Sequence, residues 1–138
     1  MKEYQLLEHT ADIAIEGKGT TLGEVFGAIA DGIATACSEK QPSIGSQFSF
    51  TITAESPEAA LYDYLDQLIY ERDVRSVLPV DNEVTVDQTD PDTWTVEALA
   101  RGIPTEEINA REIKAVTYSD MVLESTDEGW YAYVVFDV

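Results

Sequence analysis

Two stretches of this chain repeat apolar residues every three to four positions, while much of the rest alternates every second position. Leu22, Val25, Phe26, Ile29, Ala30, Ile33 and Cys37 form the first stripe, which is the spacing of one face of a helix. Leu61, Tyr64, Leu65, Leu68 and Ile69 form the second. Both begin at recognisable caps. Thr21-Leu22-Gly23-Glu24 is a capping box, in which Thr21 accepts from first-turn amides and Glu24 reaches back. Ser56-Pro57-Glu58 places a serine cap before a proline at the first helical position, with an acid at the positive end of the helix dipole. On this second helix Asp63, Asp66, Gln67 and Glu71 are expected to face water. Gly23, Gly27 and Gly32 weaken the first helix by about 1 kcal/mol each relative to alanine. Packing must therefore hold it, and the missing side chains would let it lie close on a sheet.

Period-two stretches supply the sheet. Tyr4 to Leu7 and Ala11 to Glu16 read as extended, broken by Gly17-Lys18-Gly19. Phe48, Phe50, Ile52 and Ala54 alternate with polar neighbours as a half-buried strand. Val84–Val86, Trp94–Ala100, Ile113–Tyr118, Met121–Glu124 and Trp130–Phe136 read as further strands, the last two joined by a hairpin at Thr126-Asp127-Glu128-Gly129. The order is strand, strand, helix, strand, helix, then four or five strands. That order makes an α+β fold: a two-layer domain over residues 1–138, mostly antiparallel sheet packed with two helices.

Charge narrows the partners. Against 8 Lys and Arg stand 27 Asp and Glu, a net charge of −19 over 138 residues. A surface this acidic lacks the cations that release counterions from phosphate backbones, so direct nucleic-acid binding is not expected. An anionic membrane surface is repelled for the same reason. The acids are spread along the chain, which suits solvation and, in a sharper form, a high-salt cytoplasm where screening contracts to about 3 Å at 1 M. No apolar run is long enough to span a bilayer, and MKEYQLLEHT lacks a signal peptide's apolar stretch. Cys37 is the only cysteine and has no internal disulfide partner. A cytoplasmic protein is the expectation.

Three places carry residues suited to chemistry. His9, the only histidine, precedes Asp12 by three positions, and the pair would serve as general base and orienting acid in a metal-dependent hydrolase. A lone histidine near a strand start equally suits a donor to a backbone carbonyl. At the other end, Val134-Val135-Phe136-Asp137-Val138 interrupts an apolar strand with an acid beside the last residue's carboxylate. Such hard oxygen donors repel unless a cation such as Ca²⁺, Mg²⁺ or Mn²⁺ lies between them; the alternative is a frayed, solvated end. Lys114, the only lysine after Lys40, sits in the run Ile113-Lys114-Ala115-Val116-Thr117-Tyr118. There it would guard a strand edge, pair with an acid or contact phosphate. Nucleophile motifs, a glycine-rich phosphate loop and zinc-ligand spacings are absent from the sequence.

The stretch His9-Thr10-Ala11-Asp12-Ile13, the capped Thr21-Leu22-Gly23-Glu24-Val25-Phe26, the core Lys114-Ala115-Val116-Thr117-Tyr118 and the closing Val135-Phe136-Asp137-Val138 together resemble the archease family. The resemblance covers essentially the whole chain. It implies an accessory protein rather than a stand-alone enzyme. The implied partner is an RtcB-type tRNA-splicing RNA ligase, whose guanylylation and repeated turnover the family promotes, with tRNA met only through the ligase. It implies a divalent metal, calcium first, held at Asp12, Asp137 and Val138, and a ligase-activating role for Lys114 and Asp12. An alternative implied role is that of a client-binding chaperone for a tRNA-modifying methyltransferase. Asn109-Ala110-Arg111 and Ser119-Asp120 stand where many members carry histidines.

Overall fold

The computed structural model describes residues 2–8 and 12–138. It is an α+β fold, with the antiparallel strands divided between two sheets. In the first, β1 (Glu3–Glu8) pairs with β2 (Asp12–Gly19), which pairs in turn with β8 (Gly129–Asp137). The far side of β8 carries β6 (Ala115–Val116) and β7 (Val122–Thr126), one beyond the other along it. The second sheet places β5 (Thr93–Pro104) between β3 (Ser46–Ala54) and β4 (Val77–Asp90). A strand near the start of the chain thus lies beside the last one.

Helix α1 (Leu22–Cys37) starts as its capping box predicts. Thr21 Oγ1 accepts from the Glu24 amide at 3.1 Å, and Glu24 Oε1 accepts from Thr20 N–H at 2.8 Å, one residue ahead of the cap. Its glycines are the points of closest approach. A β-carbon on Gly23 would strike the Val84 carbonyl, and one on Gly32 would stand 2.7 Å from Ile15 Cγ2. The helix is pressed between β4 on one side and β2 on the other. That position explains why so weak a helix former is buried along most of its circumference.

Helix α2 (Pro57–Arg75) runs from the Ser56 cap to a left-handed Ser76, whose amide donates to Arg72 O. Leu61, Tyr64, Leu65 and Leu68 point inward. Tyr64 lies between Phe26 and Phe50, both with ring centroids 5.9 Å from its own, and joins α1, α2 and β3 in one core. Such aromatic pairs add about 0.5–1.5 kcal/mol each beyond area burial. Glu71 does not face water as expected: it is 9% exposed, and its carboxylate accepts from Arg75 Nε at 2.7 Å and Gln67 Nε2 at 2.9 Å. The cause is Arg75, whose guanidinium lies 4.5 Å from the Phe48 ring and draws Glu71 down with it.

Several strands differ in extent from the sequence reading. β2 is not broken at Gly17-Lys18-Gly19 but pairs through it with β8, Gly17 opposite Ala132 and Gly19 opposite Trp130, and β5 runs past Ala100 to Pro104. The short strand expected at Val84–Val86 is the middle of a strand running from Val77 to Asp90. The strand expected over Ile113–Tyr118 pairs only at Ala115 and Val116. Beyond them Thr117 N–H still donates to Val135 O, but the chain then turns, with Met121 N–H donating to Tyr118 O and Asp120 at φ 57°. The hairpin at Thr126–Gly129 forms as expected, with Thr126 opposite Gly129 and that glycine at φ 140°.

Candidate functional site

The β2–β8 ladder brings the two ends of the sequence together. Asp12 is the register partner of Asp137, and Asp137 is also the partner of Ala115 on its other side. Side chains on directly opposed residues share one face of a sheet, with β-carbons about 4.5–5.5 Å apart. Asp12 is half-buried and Asp137 exposed. Two carboxylates in this relation repel, and hard oxygen donors at this spacing suit a divalent cation. Val138, 36% exposed, follows directly and adds main-chain oxygen. A cation at this corner would have two side-chain carboxylates and main chain as its donors. Among the described residues no three His, Cys, Asp or Glu side chains converge to hold a metal.

Lys114 is tied into the same corner through its backbone, its N–H donating to Asp137 O at 2.8 Å, while its side chain is exposed. It lies at the sheet edge, in keeping with the edge-strand reading. The residue before it is fixed from the opposite direction, because Arg72 Nη1 on α2 donates to Ile113 O at 2.5 Å. Ile113 is fully buried. Lys114 is therefore presented to solvent by a main chain anchored on both sides. The His9 reading and the strand start at Ala11 lie outside the described residues.

Asp12 also borders an open groove. Its far wall is the end of α1 with the loop beyond it, including Lys40, and the segment after a 3-10 turn at Thr105–Glu107, including Arg111. Arg111 N–H donates to Cys37 O at 2.7 Å and closes that wall. The Cys37 thiol is pushed up in pKa mainly by burial, which keeps it protonated and inert. The sequence alone did not show that Lys40 and Arg111 line the groove that Asp12 borders. Their only signal was that cations are scarce, eight among 138 residues.

The description of the Archease protein family (MTH1598/TM1083) matches residues 4–138. This chain belongs to the archease family. Methanosarcina mazei protein archease is 33% identical over 141 residues, covering 99% of this chain and 97% of that protein. Pyrococcus furiosus protein archease is 31% identical over 143 residues, covering all of both chains. The solution structure of Methanobacterium thermoautotrophicum protein 1598 superposes with a TM-score of 0.85 at 27% identity, over 98% of each chain. The crystal structure of a Thermotoga maritima archease, described as a possible chaperone, shares the fold with a TM-score of 0.64 at 23% identity, over 96% of this chain and 94% of that one. These archease relatives carry no enzyme name. No described helix of this archease is long and apolar enough to cross a membrane.

Proposed function

We propose that this archease is an accessory protein that activates an RtcB-type RNA ligase, promoting ligase guanylylation and multiple turnover in the joining of tRNA halves. It acts in the cytoplasm and meets tRNA through the ligase. Family membership supports the class of role. The observation that carries the reading is the Asp12–Asp137 register pair, with the Lys114 amide on the Asp137 carbonyl. Three motifs far apart in sequence thereby meet at one corner of the sheet.

In this reading Asp12, Asp137 and the main-chain oxygen of Val138 hold a divalent cation, Ca²⁺ by the family resemblance, with Mg²⁺ or Mn²⁺ equally suited to hard oxygen donors. When bound, such a cation supplies positive charge toward phosphate oxygens. Asp12 and Asp137 orient their carboxylates from adjacent strands of a packed sheet, so little rearranges on binding. Lys114 extends a mobile point charge from the same rigid edge and neutralises developing phosphate charge at the ligase's nucleotide site. The covalent chemistry belongs to the ligase.

The second reading, a client-binding chaperone for a tRNA-modifying methyltransferase, draws on the description of the Thermotoga maritima archease as a possible chaperone. A multiple-turnover ligation assay separates the two. Activation predicts that Asp12→Ala and Lys114→Ala proteins, folded by circular dichroism, fail to sustain turnover of the ligase. Client holding predicts that both still help their partner.

A further inference from the structure

Helix α2 is apolar on two sides. Its inner face packs on the second sheet, yet Tyr70 and Val74 on the outer face remain 57% and 63% exposed. Tyr62, half-buried at the flank of that face, stacks on Tyr118, ring centroids 4.0 Å apart and planes within 5°. Tyr118 is itself 56% exposed, so one ring face of the stack is open to solvent. At helical spacing Tyr62, Asp66, Tyr70 and Val74 follow one another along a single stripe, with Asp63 beside it. Asp63 and Asp66 are exposed and have no ion-pair partner among the described residues. Burial, and then Asp66, push the Asp63 carboxyl up; Asp63 and Tyr62 add to burial in pushing up the Tyr118 hydroxyl, which places all four groups in one patch.

In a chain carrying −19, two large apolar side chains left in the open beside the Tyr62–Tyr118 stack call for a cover. Aromatic ring faces bordered by unpaired carboxylates are complementary to guanidinium groups. The ring face attracts the cation, and the carboxylates accept its N–H donors. A second copy of this chain would bring the same acids face to face, and an anionic lipid surface would be repelled. We propose that the outer face of α2, with Tyr118, is a docking surface for an arginine-bearing basic segment of a protein partner. The surface reaches the candidate site. Tyr118 is four residues from Lys114, within about 14 Å along an extended chain. A partner seated on the tyrosines would thus meet Lys114 at its edge. Assigning that partner as the ligase rests on the function proposed above.

The test has two arms. In the first, amide NMR shifts follow titration of the full chain with a short synthetic peptide alternating arginine and leucine, at physiological salt. Shifts are expected at Tyr62, Asp63, Asp66, Tyr70, Val74 and Tyr118. Asp63→Asn with Asp66→Asn should weaken binding about tenfold, and Tyr118→Ala about threefold. A charge-matched control, Glu83→Gln with Asp87→Asn on β4, should leave it within about twofold. Equal weakening by both charge pairs, or shifts confined to other surfaces, would overturn the proposal. So would self-association of the wild type that Tyr118→Ala abolishes. In the second arm, affinity for the ligase should fall with Asp63→Asn/Asp66→Asn and hold with the control Glu83→Gln/Asp87→Asn on β4. Ligase binding indifferent to the tyrosine face overturns the ligase as the partner seated there. Peptide binding at the face without ligase binding overturns the ligase as partner and leaves the surface standing.

Discussion

Asp12 on β2 and Asp137 on β8 stand directly opposite one another in an antiparallel ladder, so two carboxylates share one face of the sheet. Like charges in this relation destabilise a strand pair by about 0.2–1 kcal/mol. Without metal, Asp137→Asn should therefore raise the thermal midpoint slightly. With Ca²⁺ in excess the order reverses, because binding at a hundred times the dissociation constant stabilises by about 2.7 kcal/mol. Calorimetry with and without Ca²⁺ checks the crossover.

Gly23 is a position where helix propensity and packing make opposite predictions. Alanine is the better helix former by about 1 kcal/mol, but its methyl group would strike the Val84 carbonyl of β4. Packing should win. Gly23→Ala is expected to destabilise by about 1–3 kcal/mol in urea melts, whereas the exposed helix position Asp66, changed to alanine and to glycine, should show glycine worse by about 1 kcal/mol.

The Tyr64 hydroxyl is fully buried between aromatic rings and has no hydrogen-bond partner among the described residues. A buried polar group without a partner is unfavourable by about 1–3 kcal/mol. Tyr64→Phe keeps the rings and removes the hydroxyl, so the protein should be as stable as wild type or more stable by up to about 1 kcal/mol. Chemical denaturation midpoints measure this.

Alkaline stability should follow Tyr131. Its hydroxyl donates to Glu16 Oε2 at 2.9 Å, and burial followed by that bond push its pKa up to about 12. In the unfolded chain a tyrosine ionises near 10. Between those values the folded state holds the proton and the unfolded state does not. This contribution is therefore full below about pH 10 and is lost as pH rises through about 12. Tyr131→Phe should flatten the fall in unfolding midpoint across that window.

Local physics made the helices legible. Thr21, Ser56 and Pro57 act within one turn of themselves, and the stripes through Phe26 and Leu65 need only a 3.6-residue repeat. The glycines of α1 announced close packing but not the surface they pack on, which is β4 for Gly23 and β2 for Gly32. Strand extent was less legible. The β-branched and aromatic run through Val116, Thr117 and Tyr118 promises a longer strand than the turn at Asp120 permits. Glu71 reads as solvated until Arg75 is seen lying on Phe48, a contact from another element. The division into two sheets depends on which distant strands pair, and no local pattern encodes that. At the candidate site, Asp12, Lys114 and Asp137 were nominated by motif and by scarcity of lysine, and the β2–β8 ladder brings them together. Lys40 and Arg111, and the outer tyrosines of α2, carried no motif, because their meaning lies in what stands beside them.

The role proposed for this corner of the sheet is activation of an RtcB-type ligase. Guanylylation of the cognate RtcB-type enzyme, followed by incorporation of labelled guanylate, tests it most directly. The account predicts that wild-type protein accelerates labelling and that Asp137→Ala, folded and still bound to the ligase, does not. Acceleration by Asp137→Ala equal to that by the wild type would contradict it.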